Sequence, residues 1–239
     1  MDLIITSRMA SSRLPGKALK EVVGFGPMLE VLINRAKKSG SVDRVIIATT
    51  TLESDDVLVE WANQKSYHTY RGSENNVLGR LIGACDQYKI NDFVEILGDN
   101  PLVDPDVVCK CVSQYENENL NYLATTTKEY KNVDIVHCFP VGVRVQVIKK
   151  KLLLDIDSVV KEDHFREHAT SYVYDKIGEN NIKLMNNYLF NCDEEIANWN
   201  FAVNDLEGFN NMSFLISKCG IDGNLVDIVK TAKDAKIFL

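Results

Sequence analysis

The chain has 239 residues, 45% of them hydrophobic and 26% charged, which suits one substantial folded domain and excludes a disordered or fibrous chain. Its 34 acidic and 27 basic residues give a net charge of −7, opposite to the basic balance of general nucleic-acid binders. No apolar run approaches the roughly 20 residues that span a bilayer, and Met1 to Leu14 holds too short an apolar core for a secretory signal, so no membrane partner and a cytoplasmic location are expected.

Taken in chain order, Leu3 to Thr6 reads as a buried strand, followed by the loop SRMASSRLPGK. Apolar residues at 28, 29, 32, 33 and 36 predict a helix over Met28 to Ser39. Arg44 to Thr49 is a continuous apolar strand, and Ser54 is the expected N-cap of a helix burying Val57, Leu58, Trp61 and Ala62. Tyr67 to Tyr70 is a short strand, Asn76 to Lys89 a helix, and Phe93 to Leu97 a strand stopping at Gly98-Asp99. Pro105 opens the next helix in the first-turn position that tolerates its missing N–H.

Further on, Gly142 to Ile148 alternates, predicting a strand with Val143, Val145 and Val147 inward and the other face wet. Asp163 to Lys176 is expected to be helical, Trp199 to Val203 a strand, and Glu207 to Cys219 and Asn224 to Ala235 helices. Apolar runs alternating with helices point to a doubly wound α/β fold with a largely parallel sheet, in which ligands sit beyond the carboxyl ends of the strands. Those ends carry Ser7-Arg8, Thr49-Thr50 and Gly98-Asp99. Six cysteines (Cys85, Cys109, Cys111, Cys138, Cys192, Cys219) lack CxxC spacing, so neither a disulfide framework nor a zinc site is expected. With no linker or repeat, residues 1–239 read as one domain.

Arg8, Arg13 and Lys17 crowd the first loop, with the hydroxyls of Ser11 and Ser12 and small residues that let backbone N–H groups approach an anion. Pro15-Gly16 forces a turn that can aim Lys17 back across the opening. The loop is neither a Walker A loop nor a dinucleotide GxGxxG. By composition it reads equally as a solvated basic connection.

The order of its residues says more. SRMASSRLPGKALKEVVGFGPMLEVLINR resembles the opening of the cytidylyltransferases that activate acidic sugars, which read A-R-x-x-S-x-R-L-P-x-K and later P-M-L before a helix. It is most similar to the spore-coat polysaccharide branch, with R-M-x-S-x-R-L-P-G-K. The resemblance continues through IIATTT, RGSENNVLGR, ILGDNPLVDPDVV and REHAT, and weakly through AVNDLEGF. It implies a Rossmann-like, GT-A-like nucleotidyltransferase fold with a mixed, mostly parallel sheet. It also implies a Mg²⁺-dependent enzyme that moves CMP from CTP to a sugar-like or anionic acceptor for surface polysaccharide synthesis.

Carried over by position, the resemblance makes Lys17, Asp99 and Arg13 catalytic. Arg8, Met9, Ala10, Ser11, Arg13, Lys17, Thr49, Thr50, Arg71, Ser73, Arg80 and Gly98 would hold the nucleotide. Asn100, Gln146, Arg166, Glu167 and His168 would face the acceptor, and Asp99 with Asn204 the metal. Related enzymes are commonly homodimers, here through residues 142–186, the acceptor-side segment. Three departures stand out. Asn204 replaces the family's second metal-binding aspartate, with Asp205 beside it as a substitute, while Val141 and Gln146 replace acids of the acceptor side. A more anionic acceptor would suit those losses. Two other readings stay open: a uridylyl- or guanylyltransferase, which usually opens with a G-x-G-T/S-R-x-x-P loop absent here, and a non-catalytic nucleotide-binding homologue.

Overall fold

The computed structural model describes residues 1–174, 176–179, 181–190 and 193–237, which leaves Cys192 outside. Strand β1 (Asp2–Thr6) is followed by a 3-10 turn at Lys17–Leu19 and a small hairpin of β2 (Glu21–Val22) and β3 (Gly26–Pro27). Then come α1 (Met28–Lys38), β4 (Val45–Thr50), α2 (Asp56–Gln64), β5 (His68–Gly72), α3 (Val77–Tyr88), β6 (Asp92–Leu97) and α4 (Pro105–Asn117). The later part adds β7 (Tyr122–Thr125), β8 (Gln146–Lys149), α5 (Lys150–Val159), α6 (Asp163–Glu167) and β9 (Ile182–Met185). Helices α7 (Glu194–Ala197), α8 (Leu206–Cys219) and α9 (Leu225–Asp234) complete it.

The main sheet runs β5-β4-β1-β6-β8-β7-β9, with β8 antiparallel to both neighbours and the other pairings parallel. Helices cover both faces, which is why the strands read as apolar runs. Along β1, Leu3 and Ile5 enter one core with α1, α4, α8 and α9, while Ile4 enters the other with α3 and α5. This is the doubly wound, mixed and mostly parallel Rossmann-like arrangement expected.

Four local expectations need correction. Asp55, not Ser54, occupies the N-cap position of α2, after a 3-10 turn at Glu53–Asp55, and Val57 is exposed. The stretch 142–148 has no wet face. Its strand begins at Gln146, and Arg144, Gln146 and Ile148 are buried because their side stacks on the α3 and α5 layer, where the polar groups satisfy one another. Helix α6 ends at Glu167, since His168 leaves the helical conformation and its carbonyl accepts both the N–H and hydroxyl of Ser171 at 2.8 Å. A 3-10 turn at Ser171–Val173 follows, and Asp175 lies outside the described residues. Trp199 to Val203 makes one isolated bridge, Val141 with Asn200, rather than a strand. There Gly142, at φ 89°, lies so close to the Phe201–Ala202 backbone that a Cβ would fall 2.0 Å from the Ala202 nitrogen.

Candidate active site

The carboxyl ends of β1 and β6 open into a crevice of about 370 Å³, roofed by the loop after β1 and flanked by the N-terminal end of α3. Met9 organises that loop. Its carbonyl accepts the N–H of Ser11 at 3.0 Å and of Gly16 at 2.9 Å, folding residues 9–16 back on themselves. Gly16, at φ 74°, makes the left-handed turn that launches the 3-10 turn carrying Lys17.

From there the Lys17 ammonium reaches the carbonyl of Val203 at 2.7 Å and the Asp99 carboxylate at 3.5 Å. Arg13 donates to the Asn204 amide oxygen at 2.9 Å, and Arg8 pairs with Glu74 at 2.8 Å. Val203 is held twice, because its own N–H donates to the Asp99 carbonyl at 2.9 Å.

Asp99 follows a glycine for a steric reason. Gly98 donates its N–H to the Thr6 carbonyl at 2.9 Å, and a Cβ there would meet the Ser7 side chain at 2.7 Å and the Thr6 carbonyl at 3.0 Å. The close approach sets the Asp99 carboxylate at the crevice floor. Arg80 is buried beneath, donating to the carbonyls of Ser73 at 3.0 Å and Glu74 at 3.1 Å, while its Nε finds no partner. Burial, with Arg8 next, holds its guanidinium below the usual arginine value. Four cations thus line the crevice with three carboxylates (Glu74, Asp99, Glu167), in a chain whose net charge is −7. A few local cations dominate one cleft of an acidic protein.

The crevice gathers Arg8, Ala10, Ser11, Arg13, Lys17, Arg80, Gly98, Asp99, Asn204, Glu167 and His168 of the residues expected from sequence. The rest lie behind its lining. Thr49 and Thr50 are fully buried and give both hydroxyls to Asp55, whose other oxygen takes the Met9 N–H at 2.7 Å. Burial pushes the Asp55 carboxyl up, but these bonds and one from the Thr50 N–H outweigh it and leave the group below the usual range. Arg71 ties the Thr50 and Leu52 carbonyls, each at 2.8 Å, and pairs with Asp56. Ser73 contributes its carbonyl to Arg80, and Asn100 is buried in the turn after β6. Arg166 points away, to Asp157 at 2.8 Å and the Val160 carbonyl at 3.1 Å. Asp205 does not substitute for Asn204; its side chain caps α8 by accepting the Gly208 N–H at 2.9 Å.

Gln146 belongs to a buried polar cluster under the crevice. Its amide donates to Glu95 at 2.7 Å, and its carbonyl accepts from the Tyr122 hydroxyl at 2.6 Å and from Arg144 at 3.3 Å. Arg144 also bonds the hydroxyls of Tyr130 and Tyr174. Full burial pushes Glu95 up to about 7, against the pull of Arg144 and Arg80 and a hydrogen bond from Thr6. A neutral residue at 146 is therefore accounted for locally: a second carboxylate would sit against a buried one.

Sequence reasoning missed Glu74, Asp55 and the Val203 carbonyl. Glu74 lay within the RGSENN stretch, and a carbonyl has no side-chain signal at all.

As for a metal, the described residues hold no cluster of three or more His, Cys, Asp or Glu. Asp99 is a part-exposed carboxylate on the crevice wall with the Asn204 amide oxygen lining the same space. That sparse, all-oxygen set fits a hard cation such as Mg²⁺, which takes most of its ligands from phosphates and water.

A cytidylyltransferase family model matches residues 3–197. A spore coat polysaccharide biosynthesis protein of Bacillus subtilis is 30% identical over 175 residues, 71% of this chain and 68% of that protein. A 3-deoxy-manno-octulosonate cytidylyltransferase of Haemophilus influenzae is 28% identical over 193 residues, 72% of this chain and 74% of its own. Among solved structures, a cytidylyltransferase from Leptospira borgpetersenii matches with a TM-score of 0.84 at 24% identity, covering 98% of this chain and 94% of that one, which marks a shared fold.

Proposed function

The chain belongs to the cytidylyltransferase family, and from that membership we propose that its crevice binds CTP with the triphosphate along residues 8–17 and passes the cytidylyl group to a sugar-like, anionic acceptor. The observation that carries this reading is the convergence of Arg13 and Lys17 on Asn204, Val203 and Asp99, at the carboxyl edge of the sheet where such folds take their ligands.

An acceptor oxygen attacks the α-phosphorus in line, a new P–O bond forms, and the bond to the bridging oxygen breaks to release pyrophosphate. Transfers of this type depend mainly on positioning and electrostatic stabilisation. Lys17 and Arg13 balance charge on the departing pyrophosphate, while Arg8 and Arg80 hold the remaining phosphate oxygens. Each such cation at ~4 Å contributes about 4 kcal/mol at an effective dielectric near 20, before desolvation. Ala10 lines the crevice and is assigned to the base, while the Met9 N–H and carbonyl are spent on Asp55, Ser11 and Gly16 and shape the loop. Asp99 and Asn204 would hold Mg²⁺, which supplies charge neutralisation and orientation when bound.

Glu167 and His168 line the same crevice and are assigned to the acceptor. Asn100, Gln146 and Arg166 lie outside the crevice lining and have no direct part in this reading. The same reading takes residues 1–239 as one nucleotidyltransferase domain and places a homodimer contact within 142–186, where Leu154 and Val159 are exposed. No described helix is long and apolar enough to cross a membrane.

Pyrophosphate release with CTP and Mg²⁺, measured across acidic sugars, sugar phosphates and phosphonates, tests the assignment. Thermal shift with each of the four nucleoside triphosphates accompanies it, and preferential stabilisation by UTP or GTP replaces cytidylyl transfer with the corresponding chemistry. Asp99→Ala is expected to abolish turnover with the fold intact. Near-normal rates in that variant would remove Asp99 from the mechanism.

A further inference from the structure

Asp55 sits at the N-cap of α2, where an aspartate usually accepts an N–H from the helix's first turn. Here its side chain makes no capping bond. One carboxylate oxygen instead takes the Met9 N–H at 2.7 Å. The other takes the Thr50 N–H at 3.0 Å and the hydroxyls of Thr49 and Thr50. The residue is fully buried, and all its hydrogen-bonding capacity is directed away from its own helix.

The partner matters more than the count. Met9 is the residue whose carbonyl gathers the N–H groups of Ser11 and Gly16, so its peptide fixes both ends of the cationic loop, and Gly16 immediately precedes Lys17. A single buried carboxylate therefore joins the carboxyl end of β4 to the hub of that loop.

We infer that Asp55 is a positioning residue for nucleotide binding: it touches no substrate, and it sets where the loop presents its backbone N–H groups and Lys17 to the triphosphate. The inference rests on the reading that residues 8–17 hold the phosphates. Asparagine cannot replace it. The two backbone N–H groups, of Met9 and of Thr50, point at different oxygens, so whichever way the amide sits, its NH₂ opposes one of them.

The test compares Asp55→Asn, Asp55→Ser and Val229→Ala in the full chain. Asp55 makes no capping bond to α2, so Asp55→Ser costs the helix no cap while its short side chain gives up the Met9 bond. Val229 is a buried core residue of α9, outside the crevice, and its truncation lowers the melting temperature without bearing on the loop.

Calorimetric binding of CTP and of tripolyphosphate with Mg²⁺ is expected to weaken about tenfold or more in both Asp55 variants and to be unchanged in Val229→Ala. With any acceptor that supports turnover, KM for CTP rises further than kcat falls. Amide hydrogen exchange at Ser11 and Gly16 speeds up in both Asp55 variants alone. Wild-type affinity with retained protection of those amides would overturn the inference, as would an equal loss in Val229→Ala. Failure of the wild-type chain to bind CTP would instead overturn the proposed function, and the exchange measurement would still judge Asp55.

Discussion

Replacing Glu95 by glutamine removes a charge from a buried carboxyl beneath the crevice while keeping its hydrogen bonds. The new amide carbonyl still accepts from Gln146, and the Thr6 hydroxyl can turn to accept from the new NH₂. Burial raises Glu95 from 4.5 to about 7. A carboxyl raised on folding holds its proton to higher pH than the unfolded chain does. Its stability contribution is therefore complete below pH 4.5 and declines as pH climbs to about 7, where the folded group finally ionises. At 1.36 kcal/mol per pH unit the decline amounts to about 3 kcal/mol. Glu95→Gln escapes it. Urea denaturation is expected to show equal stabilities for variant and wild type near pH 4.5, and an advantage of about 3 kcal/mol for the variant at pH 8. In a chain of this size that corresponds to roughly 6–12 °C in melting temperature. A variant as stable as wild type at pH 8, or less stable, would mean that Arg144 and Arg80 compensate the buried charge fully, refuting the reasoning.

Gly98→Ala presses a methyl against Ser7 and the Thr6 carbonyl, so turnover is expected to fall by at least tenfold while far-ultraviolet circular dichroism stays unchanged. Asn204→Asp adds a charged oxygen beside Asp99, and the Mg²⁺ concentration for half-maximal pyrophosphate release should drop several-fold. Asp104→Ala removes one carboxylate that accepts the Val107 N–H of α4 at 3.0 Å and the Leu225 N–H of α9, a loss of about 2–4 kcal/mol measurable by chemical denaturation.

The strands that line the crevice were legible because burial on two faces writes an unbroken apolar run, as in Val45 to Thr50. Strand β9 sits at the sheet edge with Lys183 exposed, and its four residues carry no such run. Helix α5 was hidden by three consecutive leucines, which blur the spacing of its buried Leu153 and Ile156. The face of 142–148 opposite the valines misled for another reason: its polar residues look wet, yet Arg144 and Gln146 are buried against tyrosines and Glu95 that arrive from distant segments. At the site, the density of cations and the Pro15-Gly16 turn marked the loop, but only its resemblance to the cytidylyltransferase opening gave it a role, since by composition it reads equally as a solvated basic connection. Nothing local announced that Arg8 would pair with Glu74, which is 66 residues away. The bonds from Thr49 and Thr50 to Asp55 close only five or six residues along the chain, and were missed because both threonines read simply as strand formers.

Val203 is stitched to Asp99 and Lys17 through main-chain atoms only. The Val203 carbonyl thus holds the Lys17 ammonium alongside the Asp99 carboxylate, and it is set in place by a side chain fully buried in the core. It follows that the proposed phosphate site is completed by residues far along the chain. The strands that furnish its floor, together with Asp99, belong to the first hundred residues, while the Val203 carbonyl and Asn204 that complete the hold on Lys17 and Arg13 come a hundred residues later. A growing polypeptide would hold the base of the loop through Met9 and Asp55 well before residues 203 and 204 emerge to fix where Lys17 and Arg13 point.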